Sequence, residues 1–452
     1  MAKTFPVRPP IVALILWAAL MAVYNANGRE IGGSDSQPAK MAARALALRG
    51  NLLLDDDIRR APPLAERGSF ARDLQGHYRS AYSPVGSLFG SVTALLMRAA
   101  GADLNAPRGA NLIAKITASS LTAVAVCFVF LTLTRFSTTG VSLAVAIGLG
   151  LGTNYWALYS QTMGQHEVVA FGLGLMLLSW ARPAGEIAKR HLWLGAFGLG
   201  LAVTARTQVG PLVGLLCLGL IVRVGWRRAL GPIGLATAML ALLLVVQWRW
   251  FGHPLGGMVI TERLHKDVHA VEGSLSREPW IGAAGLLVSP NRGLLVFSPI
   301  VLVALIDIGS SLRALPDYGL GWMYLGCAAL YIGYSLYSVW WGGHAYGPRY
   351  LLDFAILLTP AAAVALSSVL RAGWMRGLAA LLLVWSITVA GVGAFCADNW
   401  NTSPASVDLN HGRLWDWRDL QIRRAWVLGP SPQNFTLFNW TSWYPTGPPD
   451  VR

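Results

Sequence analysis

The chain has 452 residues, 54% of them hydrophobic and 13% charged, with a formal net charge of +14. Soluble domains carry about 25% charged residues, so the composition excludes an ordinary soluble enzyme, and a mean hydropathy of +0.48 agrees. The positive charge does not point to nucleic acid, because Lys and Arg lie beside apolar runs or between them, where they set topology and touch anionic headgroups.

Apolar runs recur along the chain, and a spanning helix needs about 20 mostly apolar residues that satisfy their own backbone. The pattern predicts an all-α, polytopic membrane helix bundle with about eleven spans. The first is 10–27, read as a retained helix. A polar stretch, 28–83, contains an amphipathic helix at 38–50. The apolar segment 84–100 follows Ser83-Pro84 and reads as interfacial or re-entrant. Spans are expected at 109–134, 139–154, 166–182, 192–206, 209–225 and 229–249. A polar loop runs 250–292, and further spans follow at 293–308, 319–338, 351–370 and 377–396. The tail 397–452 is polar and holds Trp400, Trp415, Trp417, Trp426, Trp440 and Trp443, suited either to capping the bundle or to stacking on sugars. None of the four cysteines has metal-ligand spacing, and neither a P-loop nor an H-E-x-x-H motif is present.

Positive residues in short loops set orientation. With Lys3 and Arg8 in the cytoplasm, the inner loops carry Arg135; Arg182, Lys189 and Arg190; Arg223, Arg227 and Arg228; Arg313; and Arg371 and Arg376. The outer loops 28–108 and 250–292 and the C-terminal tail then face outwards from an inner (plasma) membrane. Residues 1–396 form the bundle and 397–452 an extracytoplasmic tail.

Six stretches offer chemistry. In Ile31-Gly-Gly-Ser-Asp-Ser-Gln37, Asp35 is either a general base for an incoming hydroxyl or the cap of the next helix. In Tyr78-Arg-Ser-Ala-Tyr-Ser-Pro-Val-Gly86, Pro84 and Gly86 open a helix beside Tyr82. Gln165, His166 and Glu167 stand where an outer loop enters a span, as site residues or an interfacial cap. Arg206 lies between two apolar runs and either snorkels to headgroups or binds phosphate. Arg292 precedes a span, with the same two alternatives. Trp340-Trp-Gly-Gly-His-Ala-Tyr-Gly-Pro-Arg-Tyr-Leu-Leu-Asp353 is the most informative stretch. Its glycines allow close backbone approach to a ligand around His344, Tyr346 and Arg349, and the planar guanidinium of Arg349 suits phosphate.

In their order along residues 10–370, these stretches resemble the GT-C superfamily of membrane glycosyltransferases. More narrowly, the chain looks like the bacterial branch related to protein O-mannosyltransferases and lipid A aminoarabinose transferase. Asp35 falls where that family has an acidic residue after the first span. Tyr82-Ser-Pro-Val-Gly86 is a loose match to its Tyr-Pro-Pro-Gly-like turn, with Val85 in place of the second proline. Trp156, Tyr159, Ser160 and Glu167 match its second outer loop. The serines flanking Asp35 depart from members with two adjacent carboxylates; Glu30 is near but not adjacent.

The resemblance implies an inverting glycosyltransferase. It would move a sugar from a polyprenyl-phosphate donor, its tail in a groove among the helices, to a hydroxyl of a cell-envelope glycan, lipid or protein on the outer face. Asp35 would be the base, with Glu167 orienting a substrate. Arg349, then Arg206, Arg292 and His166, would hold the donor phosphate, and Tyr82, Gln165, His344 and Tyr346 would contact substrate. No cofactor is implied. A transporter or flippase of a lipid-linked sugar is the alternative.

Overall fold

The computed structural model describes residues 8–106, 108–259, 268–368 and 373–439. Lys3, Arg371, Trp440 and Trp443 lie outside the described residues. Among the described residues the regular elements are helical but for one hairpin of two antiparallel strands, β1 (Phe70–Arg72) and β2 (Tyr78–Ser80), in the first polar stretch.

The helices of the first half are α1 (Pro9–Asn25), α2 (Ser36–Arg49), α3 (Asp55–Arg60), α4 (Val85–Ala99), α5 (Gly109–Leu133), α6 (Thr139–Leu151), α7 (His166–Trp180), α8 (Lys189–Ala205), α9 (Gly210–Val224) and α10 (Trp226–Phe251). Those of the second half are α11 (Pro279–Val288), α12 (Leu294–Phe297), α13 (Leu302–Ile306), α14 (Ile308–Ala314), α15 (Leu320–Ser335), α16 (Leu352–Ala355), α17 (Thr359–Ser368), α18 (Gly373–Phe395) and α19 (Gln421–Leu428).

Among the described residues, four helical segments are long and apolar enough to cross a membrane: Gly109–Leu133, Thr207–Val224, Trp226–Phe251 and Gly373–Phe395. The other expected spans are shorter or broken, and the breakers are local. The run 293–308 is interrupted by Pro299, which cannot donate to the helix ladder, and is divided again at Asp307. The run 351–370 tightens into a 3₁₀ turn over Ile356–Leu358. The separation expected at 226–228 is a kink at Gly225, whose φ is +82°. One apolar helix, α11, lies inside the stretch read as a polar loop.

The core runs through α5, α7 and α8, with Phe130, Leu173 and Leu199 fully buried. Helix α7 packs between α5 and α8, α1 lies along α5, and α10 lies along α8. Helices α2 and α4 pack on each other and against α5. Ser87 Oγ donates to the Ala39 carbonyl over 2.9 Å, joining the pair. Lys40 pairs with Glu30 over 2.9 Å.

Below this layer Lys115 is fully buried in α5. Its ammonium donates to Asn27 Oδ1 over 2.9 Å and also to Gln161 Oε1, tying together the segments after α1 and before α7. Asn27 and Arg29 donate to the carbonyls of Ala394 and Cys396 at the end of α18. The first polar stretch and the chain after α18 therefore lie at the same end of the bundle. That end carries the candidate site.

Candidate functional site

Asp35 occupies the N-cap position of α2 but has helical dihedrals and makes no side-chain capping bond. Its carboxylate turns instead to two other segments. Tyr82 donates its hydroxyl to Oδ1 over 2.9 Å, and Arg349 donates Nη1 to Oδ2 over 3.2 Å. The Asp35 side chain remains 46% exposed against 26% for Arg349. The carboxylate is thus held by two other segments, with Ser34 Oγ also 3.4 Å from Oδ1, while nearly half of the side chain stays exposed. Pro84 and Val85 start α4 directly after Tyr82, which fixes where the phenol stands. Burial, and then the Asp35 carboxylate, push the Tyr82 hydroxyl well above its ordinary pKa, so it remains a donor.

Arg349 is carried by the loop between α15 and α16. Gly342 in that loop has φ +75°, and a Cβ there would stand 3.0 Å from Arg349 Nε. Gly347 has φ +65°, and a Cβ would stand 2.3 Å from the Phe297 ring. Both positions therefore demand glycine on two counts. Burial acts to discharge Arg349, but Tyr350 and Asp35 outweigh it and hold the guanidinium charged.

The Tyr350 ring is shared. Arg349 Cζ lies 5.3 Å and Arg206 Cζ 4.9 Å from its centroid, within cation–π range. Tyr350 also stacks on Tyr334, with centroids 4.8 Å apart. Arg206, directly after α8, is buried and meets Asp353 Oδ2 at 3.2 Å. His166 Nδ1 stands 2.6 Å from Asp353 Oδ1, and Arg206 Nη1 stands 2.8 Å from His166 Nε2. Asp353 is fully buried and receives two further hydroxyls, Tyr159 over 2.8 Å and Tyr334 over 2.7 Å. The Nε atoms of Arg206 and Arg349 are both buried and have no hydrogen-bond partner. A buried donor left unpaired costs about 1–3 kcal/mol, so these two donors are candidates to pair with the oxygens of an anion.

The other expected site residues fall elsewhere. Glu167 is buried in the first turn of α7 and accepts the Gly164 amide over 2.9 Å, which is capping behaviour. Gln165 is half-buried at the start of α7. Arg292 has its five N–H groups on neutral acceptors. They are the carbonyls of Trp341, Asn291 and Gly343 and the side-chain oxygens of Gln421 and Asn401, at 2.5–3.1 Å. A phosphate ligand for Arg292 would have to displace these bonds, and as placed the residue ties loop to tail. Tyr346, expected to contact substrate, is placed in packing. Its hydroxyl donates to the Val389 carbonyl over 3.0 Å and its ring meets Phe297. His344 is exposed and reaches Asp408 of the tail at 2.8 Å. Burial acts against charge on Asp408, but hydrogen bonds from His269, His344 and Trp341 prevail and hold the carboxyl well below its usual range.

The tail therefore caps the site loop, and Trp400 is fully buried beneath Arg292. Trp417 and Trp426 remain exposed. Asp353, Tyr334 and Tyr350 were not singled out by sequence reasoning. The available signal was a lone carboxylate in the first turn of an apolar run, where ionisable side chains are costly and tend to be functional.

No protein-family model and no curated protein matches the sequence. Solved structures match the fold. One is ArnT from Cupriavidus metallidurans bound to undecaprenyl phosphate, with a TM-score of 0.52 and 13% identity over 87% of this chain and 70% of that one. Another is the oligosaccharyltransferase of Archaeoglobus fulgidus in complex with Zn and sulfate, with a TM-score of 0.55 and 13% identity over 95% of this chain. The same oligosaccharyltransferase tethered to an acceptor peptide matches with a TM-score of 0.51 and 11% identity over 91% of this chain. The chain spans 58% of the length of the zinc-bound oligosaccharyltransferase. Both neighbours have the GT-C fold of membrane glycosyltransferases, and this chain has that fold too.

Proposed function

We propose that this GT-C-fold chain is an inverting glycosyltransferase that moves a sugar from a polyprenyl phosphate to a hydroxyl of a cell-envelope glycan, lipid or protein. The observation that carries this reading is the Asp35 carboxylate, gripped by Tyr82 and Arg349 while nearly half of its side chain stays exposed. A base must be within hydrogen-bond reach of the proton it takes and oriented before it acts, and this carboxylate has both the opening and the grip. Support for the donor comes from the paired arginines around Tyr350 and from the undecaprenyl phosphate bound by ArnT.

In the transfer, the acceptor hydroxyl gives its proton to Asp35. The acceptor oxygen bonds to the anomeric carbon from the face opposite the phosphate. The bond from that carbon to the phosphate oxygen breaks, and its electron pair leaves with the polyprenyl phosphate. Asp35 loses its charge while the phosphate gains a second one. The guanidinium of Arg349 can then pass from carboxylate to phosphate as that charge develops, which is differential stabilisation of the transition state. Arg206, held against His166, adds its guanidinium on the phosphate side, and Tyr82 orients the base. The arginines supply the positive charge, so we expect no metal requirement. The site, the first polar stretch and the tail share one end of the bundle. The basic loops of the other end support placing that shared end at the outer face of the plasma membrane.

The test is transfer of radiolabelled sugar from a panel of polyprenyl-phosphate donors to membrane acceptors. Asp35→Asn should lose at least about 100-fold in rate while still binding undecaprenyl phosphate. Full activity in Asp35→Asn would remove Asp35 as the base.

A further inference from the structure

Asp353 is a buried carboxylate to which the transfer scheme assigns no part. It accepts from two tyrosine hydroxyls and stands against His166 and Arg206, every contact at 3.2 Å or less. The tyrosines and the histidine could be served by a neutral amide of the same shape. Only Arg206 calls for a negative charge, since a lone guanidinium buried this deeply would be costly.

With Asp353 ionised, each arginine beside Tyr350 already has a carboxylate: Asp35 for Arg349 and Asp353 for Arg206. The two pairs are charge-balanced before any ligand arrives. What they offer an anion is geometry, the two unpartnered Nε–H groups, and little net field. Such a site can stabilise a phosphate as it departs without retaining it afterwards.

Resting on the donor reading above, we propose that Asp353 is a positioning residue that tempers Arg206. It fixes the guanidinium against His166 and lowers the hold of the site on the polyprenyl phosphate product, so that product leaves. Asp353 acts through Arg206 and not by touching the reacting atoms. Its two consequences pull in opposite directions: loss of the charge strengthens anion binding, and loss of the fixed geometry slows turnover.

That opposition separates tempering from a merely structural part, because damage to packing does not tighten a ligand. Undecaprenyl phosphate binding is measured on the full-length protein in detergent, for wild type and Asp353→Asn. The variant should bind at least about tenfold more tightly, the scale of one unit charge removed from nearby at an effective dielectric of about 20. Its kcat should fall, with stronger inhibition by added undecaprenyl phosphate, as expected when product release limits turnover. Equal or weaker binding by a folded Asp353→Asn overturns the inference and leaves the transferase reading standing. Failure of the wild type to bind undecaprenyl phosphate overturns the donor reading, and this inference with it. Should Asp353→Asn not fold, Tyr334→Phe serves in its place. It keeps the carboxylate but removes one hydroxyl that satisfies it, so the phosphate should bind about two- to threefold more weakly. Unchanged or tighter binding there overturns the inference.

Discussion

Two arginines meet the same glycine-rich loop and are used in opposite ways. Arg292 touches it from below, with every N–H on a neutral acceptor and Trp400 against its face. Arg349 belongs to the loop itself, faces a carboxylate that is nearly half exposed, and keeps one buried donor without a partner. Burial lowers the Arg292 guanidinium to about 10, whereas the neighbours of Arg349 raise it. Burial alone therefore does not separate a structural arginine from a functional one. The distinction lies in what receives the hydrogen bonds. A residue whose donors are all met holds a fold, and one whose donors are partly unmet can hold something else.

Substitutions break or sharpen this contrast. The largest effect on transfer is expected from Arg349→Ala, about 100- to 1,000-fold in rate, the scale of one lost charge-stabilising donor. Thermal unfolding of that variant should change little. Arg292→Ala should do the reverse. Its acceptors would be stranded in the interior, costing about 3 kcal/mol or more in stability, read as a lowered unfolding temperature and a reduced yield of folded protein. Equal loss of stability in both variants would erase the distinction between them. Smaller still is Tyr82→Phe, which keeps the ring and removes the bond to Asp35. Transfer should fall about tenfold with donor binding intact, and an unchanged rate would reduce Tyr82 to packing.

The class of the protein was legible because apolar runs and basic loops are statements about solvent that a sequence makes directly. Helices α2 and α4 were legible for similar reasons. Gly50 closes the first in a left-handed conformation, and Pro84 opens the second. Span lengths were less so, since hydropathy does not register how Pro299 and Asp307 divide an apolar run. At the site, Asp35 and Arg349 came from the resemblance and from local glycine chemistry, and they meet in space although 314 residues apart. Asp353 was passed over because its meaning depends on Arg206, His166 and Tyr159, each in a distant segment. The engagement of Arg292 and Tyr346 with their neighbours was hidden for the same reason. A pattern shows that a side chain is able to bind, and only the neighbours show whether it is already engaged.

The ties between the first polar stretch and the chain after α18 also set an order of events during synthesis. Asn27 and Arg29 emerge early, yet the carbonyls they bind belong to Ala394 and Cys396. Gly28 and Asn27 in turn accept amides from Leu437 and Phe435. Arg292 likewise waits for Asn401 and Gln421. Until residues 394–437 have been made, the loop bearing Arg349 lacks its floor. A chain stopped before them would carry Asp35 without the framework that aims it, and should be silent in the transfer assay.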